Sequence, residues 1–248
     1  MTASREIIQH WILNTAIEFR RRLSDFVPFV ESESLNVNEL PGATPNEYAA
    51  AFLALLDNGF IQAYPAEIDD HQEDTANMDR SAVETILEQR LRLPRVTSRV
   101  RVRANQPKPP SKPSAPDLRW RMTVLGGDAW ERLARPDWNR YVSTETDDQR
   151  GDIWSANRDL LMAELGWYRE LTSAKVNRDS VRIEVVDNHP ITYWKVLPLV
   201  YHAAFSCTSD ADASPMDWPE WFRDWWISQN QWYKEPWELP GWPISVGK

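Results

Sequence analysis

The segment of residues 43–61, ATPNEYAAAFLALLDNGFI, constrains the fold more than any other part of the chain. It begins with Thr44, Pro45 and Glu47, an order typical of a helix N-terminus. The Thr and Glu side chains can cap each other's backbone N–H groups, and proline lacks the N–H that would otherwise stay unpaired. Apolar residues then recur at helical spacing. The pattern predicts a helix whose buried stripe consists of Tyr48, Phe52, Leu55 and Leu56.

The surface of this helix has the wrong chemistry for reading DNA. Gly59 is expected to end the helix, and residues 60–64 are predicted to form a short strand. Between Thr44 and Asn58 the sequence contains no Lys or Arg. A helix that reads DNA needs cations near phosphates and hydrogen-bond donors for base edges. We expect the solvent-facing side chains to be those of Asn46, Glu47, Ala50, Ala54 and Asp57, which cannot satisfy a major groove.

Helices are also predicted on both sides of this segment. Apolar residues at helical spacing indicate an amphipathic helix over residues 4–25, with the basic run 20–22 in its last turn, where it would complement the helix dipole. Residues 35–40 suggest a short second helix. Ser81 and Glu84 form another capping box, which predicts a helix that ends at about Leu91.

A strand followed by a helix is predicted from residue 118 onward. Residues 118–123, LRWRMT, alternate as a strand does, and Thr123 is placed to cap the helix that follows. That helix carries Gly126 and Gly127, each of which costs about 1 kcal/mol relative to alanine, so we expect close packing there. We predict that residues 60–64 and 118–123 are antiparallel neighbours.

Two short motifs resemble a known family. The run from Leu53 to Ile61, LALLDNGFI, is similar to the "L-x-x-L-x-x-x-G-h-I" end of a recognition helix, and Met122-Thr123-x-x-Gly126 looks like the "L-T-x-x-G" that follows a wing. Residues 5–135 therefore resemble a winged helix-turn-helix domain of the MarR or PadR type. The resemblance implies a winged-helix fold and DNA binding. It gives a domain over 1–135 with a long insertion, 66–117, in the wing.

The insertion contains the one strongly basic stretch of the chain. Eight Lys or Arg residues and no acid lie between Arg90 and Lys112. Residues 95–103 alternate as a two-faced strand, which is either a solvated edge that discourages strand pairing or an arm that grips a phosphate backbone or an acidic protein. We expect Arg99, Arg101 and Arg103 to contact an acidic protein or an acidic surface of a second copy. The candidate partner-binding residues are Arg95, Arg99, Arg101, Arg103, Lys108, Arg119 and Arg121.

The remainder, residues 136–248, is predicted to be a Trp-rich α+β section packed on the first domain. Its patterns indicate a helix at about 153–170, a strand at 180–187, a turn at 187–190 and a strand at about 191–206. Seven of the 14 tryptophans lie in the last 31 residues, and a helix over 217–234 would align several of them. This stripe either closes over the core of the section or offers an aromatic patch to a partner.

No motif of an active site or a metal site is present. The four histidines, His10, His71, His189 and His202, share no metal-ligand spacing with one another or with the lone Cys207. Cys207 cannot form an internal disulfide and is expected to be a small buried hydrophobe. The sequence has no glycine-rich dinucleotide or phosphate loop. No cofactor and no metal ion is predicted.

Charge and composition limit the function classes. The net charge of −9 and the pI of about 5.0 argue against a general attraction to nucleic acid or to an anionic membrane. The chain has neither a signal-peptide pattern nor an apolar run of the ~18 residues that span a bilayer, so a cytoplasmic location is expected. The favoured function is a non-catalytic protein-interaction or scaffolding protein on a winged-helix frame, with a protein partner or self-association. The alternatives are a DNA-binding transcriptional regulator that uses the basic arm and the wing, and an enzyme of unrecognised type.

Overall fold

A computed structural model describes residues 4–18, 20–23, 43–67, 77–91, 116–147, 149–171, 174–209, 231–234 and 238. The predicted α+β class is confirmed, since the described residues form helices and antiparallel sheets. The chain divides into two compact units. Unit 1 comprises residues 1–133 and 235–248, and unit 2 comprises residues 134–234.

Unit 1 combines helices with a three-stranded sheet of order β1-β3-β2. The predicted antiparallel pairing of its two later strands is confirmed, with Ile61 opposite Met122 and Pro65 opposite Leu118. Its elements, in chain order, are α1 Arg5–Asn14, β1 Arg21–Arg22, α2 Pro45–Asp57, β2 Ile61–Pro65, α3 Arg80–Leu91, β3 Leu118–Met122 and α4 Val124–Ala134.

Helix α2 begins and ends as its sequence predicts. The Thr44 hydroxyl accepts a hydrogen bond from the Glu47 N–H at 3.3 Å, and the Glu47 carboxylate accepts one from the Thr44 N–H at 2.7 Å. Gly59 follows the helix at a φ of 68°, a conformation that glycine adopts without strain. The expectation that Ala54 faces solvent is wrong, because Ala54 is only 7% exposed. Both α1 and α3 lie against α2, so its buried face is wider than one stripe.

Helix α1 is shorter than the predicted helix over 4–25, which is therefore wrong in its second half. The Thr15 hydroxyl donates to the Ile12 carbonyl at 2.7 Å, and the Arg21 guanidinium donates to the Thr15 carbonyl at 2.6 Å. Arg21 and Arg22 then pair with β3 as an edge strand instead of lying in a helical turn. Buried apolar residues beyond Asn14 continue the helical spacing by coincidence, which explains the error.

Helices α3 and α4 are close to their predictions. The cap of α3 is Asp79, whose carboxylate accepts from the Ala82 N–H at 2.8 Å, so the predicted Ser81 cap is wrong. The predicted Thr123 cap of α4 is confirmed by a 3.0 Å bond from the Gly126 N–H to its hydroxyl. Close packing at Gly126 is also confirmed, since a Cβ there would collide with the Phe60 carbonyl.

Unit 2 is organised around one long strand, β8. It pairs with β5 along one edge and with β6 and β7 along the other, while β4 extends the sheet beyond β5. Short 3-10 helices occur at Trp138–Arg140 and Arg178–Ser180. The elements are β4 Val142–Thr146, β5 Arg150–Ser155, α5 Arg158–Leu171, β6 Ala174–Val176, β7 Arg182–Pro190 and β8 Val196–Ser209.

Several predicted boundaries in unit 2 are wrong. The helix expected from residue 153 begins at Arg158, because residues up to Ser155 form β5 in register with β8. The residues of the turn expected at 187–190 belong to β7, and the chain reverses in residues 191–195, between β7 and β8. There the Ile191 N–H donates to the Lys195 carbonyl at 2.8 Å. The strand expected from residue 191 consequently begins at Val196.

Helix α5 covers one face of this sheet. Leu161 and Leu165 of α5 pack on Ile153, Ala203 and Phe205, and all are buried, together with Cys207. The prediction that Cys207 is a buried hydrophobe is thus confirmed. Gly151 is required by this packing, since a Cβ there would collide with the Phe205 ring. We call this side of the sheet the α5 face.

An aromatic cluster connects the last described residues of unit 2 with residues near its start. Trp232 is buried, and its ring centroid lies 4.9 Å from that of Trp138 and 4.7 Å from that of Tyr141. Backbone bonds hold this segment in place: the Asp137 N–H donates to the Trp232 carbonyl, and the Lys234 N–H donates to the Ala134 carbonyl. Residues 231–234 are not helical, so the predicted Trp-rich helix is wrong at its end. Its Trp stripe lies outside the described residues.

Candidate functional site

The predicted partner-binding residues fall into two groups. Arg95, Arg99, Arg101, Arg103 and Lys108 lie outside the described residues, so the basic arm stays a prediction. Arg119 and Arg121 belong to β3, where they alternate with buried apolar side chains.

Arg119 and Arg121 lie on one face of the unit 1 sheet, which also carries the buried Tyr64 opposite Arg119. The Arg121 guanidinium donates two hydrogen bonds to the Gln62 amide oxygen, at 3.1 and 3.0 Å. Arg119 is opposite Arg22 in the register of β1 and β3.

Arg90, the first residue of the basic run, has a structural role. Its side chain is buried, its Nε donates to the Pro116 carbonyl at 3.0 Å, and its Nη2 lies 3.5 Å from the Asp117 carboxylate. These contacts connect the end of α3 to the start of β3. Arg90 is therefore not available to an external anion.

The exposed surface of α2 agrees with the chemistry predicted for it. Asn46 and Ala50 are exposed, and Asp57 at the end of the helix forms an ion pair with Arg80 of α3. Helix α3 is thus attached to the end of α2 by a charge pair as well as by packing. Neither the described side chains of α2 nor this pair offers a cation to a DNA groove.

The most unusual arrangement of polar groups lies in unit 2, on the sheet face opposite α5. Residues on this side alternate with the buried residues of the α5 face along each strand. His202 of β8 is at the centre. Its Nε2 lies 2.8 Å from the Asp152 carboxylate of β5, and its Nδ1 lies 3.0 Å from the Glu184 carboxylate of β7. The register explains the meeting, since β8 runs between β5 and β7.

Aromatic stacking joins the same three strands. The Trp154 ring of β5 is parallel to the His202 ring, with the centroids 3.6 Å apart. It is also parallel to the His189 ring of β7, at 3.8 Å. Arg150 completes the group, with its Nε 2.8 Å from the Asp152 carboxylate. We call Arg150, Asp152, Trp154, Glu184, His189 and His202 the histidine cluster.

Protonation in this cluster follows from burial and charge. Burial raises the pKa of the Asp152 carboxyl, but its hydrogen bonds to Arg150 and His202 and their charges outweigh that effect, so its pKa lies below the usual range. Burial lowers the pKa of His189, and the charge of His202 lowers it further. Asp152 is therefore anionic and His189 neutral at neutral pH.

A second titratable group is buried on the α5 face. Glu164 of α5 is 2% exposed, and burial raises its pKa to about 7, although a hydrogen bond from Thr144 opposes that change. This bond, at 3.4 Å, reaches only one carboxyl oxygen, and the other has no hydrogen-bond partner among the described residues. Burial likewise raises the pKa of Tyr168, one helical turn further along. Ionisation of such a buried carboxyl group is unfavourable, because the charged form loses its hydration.

Neither group resembles a metal centre or an established active site. Among the described residues, no set of three or more His, Cys, Asp or Glu side chains could hold a metal ion. None of the described helices is both long and apolar enough to cross a bilayer. No protein-family model, no curated protein and no solved structure matches the chain.

Sequence reasoning missed the histidine cluster, and the reason is its spacing. Asp152 and His202 are 50 residues apart, and Glu184 and His202 are 18 apart. No local motif connects positions so distant. A usable signal was present in the strand patterns, because Asp152 and Trp154 are two residues apart, as residues on one face of a strand are.

Proposed function

We propose that this chain is a non-catalytic protein-interaction protein, in which unit 1 has a winged-helix frame and unit 2 presents a binding surface at strand β7. The single observation that carries the proposal is the exposed aliphatic surface along β7 and β8. The chemistry of α2 argues against the principal alternative, reading of a DNA groove by that helix.

The winged-helix frame is supported by connectivity. Helix α2 leads through Gly59 into β2, β2 pairs with β3, and β3 leads through the Thr123 cap into α4. The sheet order β1-β3-β2 places the strand after the insertion in the centre. The order of α2, β2, β3 and α4 along the chain agrees with the winged-helix fold that the resemblance implies for residues 5–135. The fold alone does not fix the function, since one frame can carry many kinds of site.

The binding surface consists of Ile183, Val185 and Leu199, which we call the β7 patch. These side chains are 39%, 56% and 42% exposed. They belong to the α5 face by strand alternation, since Ile183 is opposite Ala203 of the core and Val185 is opposite Tyr201. Leu199 is diagonal to Val185 in the same register. The apolar face of the sheet thus extends past α5, and contiguous exposed apolar surface is a mark of protein interfaces.

Strand β7 can also supply backbone hydrogen bonds. Among the described strands it pairs only with β8, so within the described residues it is an edge strand of the sheet. An extended partner segment that adds to such an edge gains main-chain hydrogen bonds, while alternate side chains contact the neighbouring surface. The basic arm, Arg95 to Lys108, is proposed as a second contact for an acidic partner.

A DNA-binding regulator is the second candidate, favoured by one observation. Arg22, Arg119 and Arg121 lie on one face of the unit 1 sheet, and the basic arm continues from the same region of the sequence. Such a protein would grip the phosphate backbone with the wing and the arm and leave α2 out of the groove.

A titration with fluorescent random-sequence duplex DNA at low salt separates the two candidates. The proposed function predicts no binding in the micromolar range. Salt-sensitive micromolar binding, weakened by Arg119→Glu together with Arg121→Glu, would establish the DNA-binding alternative, because contacts to phosphates give a steep salt dependence. Asp57→Asn is the control variant, since it removes a charge from α2 without changing the wing.

Sedimentation velocity over a range of concentrations tests the β7 patch itself. If the partner is a second copy, wild type should associate and Val185→Lys should stay monomeric. Thr146→Lys on β4 provides the control, because it adds the same charge to an exposed strand away from the patch. Association that persists in Val185→Lys would remove the patch from the proposal.

A further inference from the structure

We propose that His202 is a proton-operated clasp, which ties edge strand β7 to β5 across β8 and releases Glu184 when its ring loses one proton. The clasp is inferred from the geometry of the histidine cluster. Its consequence for partner binding rests on the proposed function of the β7 patch, because Glu184 lies between Ile183 and Val185 in the chain.

The number of ring protons follows from the partners of the two nitrogens. Both face carboxylate oxygens, at 2.8 Å for Asp152 and 3.0 Å for Glu184. An ionised carboxylate only accepts hydrogen bonds, and a neutral imidazole donates from one nitrogen only. A neutral ring would therefore direct a lone pair at one carboxylate. The doubly protonated ring satisfies both contacts at once.

The surroundings of the ring support its positive charge. The Trp154 face lies against it at 3.6 Å, and aromatic faces attract cations. From β5 the ring meets Asp152, which is also bound by Arg150. From β7 it meets Glu184, and His189 lies on the other side of the Trp154 ring. Since burial and the charge of His202 lower the pKa of His189, the second histidine stays neutral and does not compete for the charge.

Solvent exposure decides which carboxylate leaves. The Asp152 side chain is 18% exposed and keeps its ion pair with Arg150, whereas the Glu184 side chain is 66% exposed. A neutral ring therefore keeps its proton on Nε2, towards Asp152, and Glu184 turns to water. The clasp is therefore closed when the ring holds two protons and open when it holds one.

Release loosens the strand that carries the β7 patch. When closed, the clasp adds a charge-assisted side-chain bond to the backbone pairing of β7 with β8. When open, β7 keeps its backbone pairing with β8 and the stack of His189 on Trp154. An edge strand that has lost such a bond opens locally more often. Partner binding at the patch is consequently regulated by pH.

Nitrogen NMR of the histidine side chains tests the proton count directly. The full-length chain has only four histidines, and the His202→Gln spectrum identifies the His202 signals. Over a pH titration we expect both ring nitrogens of His202 to carry protons at the acidic end, and Nε2 alone to carry one at the basic end. A His202 ring with a single proton at the acidic end would overturn the clasp.

Hydrogen exchange of the amides in residues 182–190, corrected for the intrinsic pH dependence of exchange, tests the mechanical consequence. Between the doubly and the singly protonated state of His202, as followed by NMR, wild type should lose protection by about tenfold, the effect of one charged hydrogen bond. Glu184→Gln should remove this pH dependence, because an amide can pair with either form of the ring. Asp187→Asn, the same charge removal on the same strand, should keep it. Equal behaviour of the two variants, or constant protection in wild type, would refute the proposal without bearing on whether the β7 patch binds a protein.

Discussion

The two faces of the unit 2 sheet are stabilised by opposite kinds of interaction. The α5 face is a conventional apolar core, in which Leu161 and Leu165 pack on Ile153 and Phe205. The opposite face has no described helix over it and is held by the histidine cluster, with its ion pairs and stacked rings. One face of the sheet is therefore held mainly by apolar packing, and the other is held mainly by ion pairs and stacked rings.

Each face also contains a carboxyl group with a shifted pKa, and the shifts are in opposite directions. Burial without a strong partner raises the pKa of Glu164 on the α5 face. Arg150 and His202 lower the pKa of Asp152 on the other face, against the effect of burial. The difference shows that burial alone does not set the state of an acid. The presence of a cationic partner decides it.

The largest expected effect is on the α5 face. Phe205→Ala should reduce the free energy of unfolding by about 3–5 kcal/mol, because it removes a buried ring and leaves a cavity. Urea denaturation followed by fluorescence measures the change. Phe205→Leu is the control and should recover most of the loss. A loss below about 1 kcal/mol would mean that this face is not the main source of stability.

A smaller effect, dependent on pH, is expected from Glu164→Gln. The pKa of Glu164 is raised from 4.5 to about 7, so wild type is most stable when this group is protonated. Its stabilising contribution is complete below about pH 4.5 and is lost as pH rises to about 7, which amounts to about 3 kcal/mol. The glutamine variant should not show this decline. Urea denaturation at pH 5, 6, 7 and 8 compares the two slopes, and parallel slopes would contradict the prediction.

The charged face should show the opposite pH dependence at lower cost. Asp152→Asn should destabilise the protein by about 1–2 kcal/mol at pH 7, because it removes a carboxylate that contacts the Arg150 guanidinium and the His202 ring. The pKa of Asp152 is lowered, so the contribution is present above its usual value of 3.8 and is lost as pH falls through the lower folded value. Thermal melts at pH 7 and pH 3 measure it. A cost that is equal at both would place its origin in packing.

The smallest expected effect is at the β7 patch. Val185→Lys should change the free energy of unfolding by less than about 0.5 kcal/mol, because the side chain is 56% exposed. The same denaturation measurement checks it, with Ile153→Lys as the contrasting variant on the covered part of the same face. A large loss for Val185→Lys would show that the residue belongs to the core and not to an interaction surface.

Local signals explain which parts of the fold could be predicted. The Thr44–Glu47 capping box, Gly59 and the Thr123 cap each act within a few residues, and all are present in the structure. The pairing of β2 with β3 was predicted from the resemblance of residues 53–61 and 122–126 to the two ends of a wing, because the strands are too far apart in sequence for a local signal. Helix α1 was predicted too long because the apolar spacing continues after Asn14, where only the pairing of Arg21 and Arg22 with β3 ends the pattern.

Unit 2 was harder to predict because long-range pairing determines it. The residues of β4, VSTET, show no apolar alternation, and Ile153 with Trp154 fits a helix as well as a strand. Residues 150–155 form a strand because they pair with β8, and no local sequence motif indicates that pairing. The histidine cluster depends on the same register, so it became visible only with the fold.

The hydrogen bond from the Lys234 N–H to the Ala134 carbonyl has a consequence for the modularity of unit 2. The chain enters and leaves unit 2 at neighbouring points, since these two residues are joined at 2.8 Å. A module whose ends meet can be cut out, transplanted into a surface loop of another protein, or rejoined end to end and opened elsewhere, with little disturbance to its interior. Residues 134–234 thus begin and end at one place, which is the geometry that domain insertion requires.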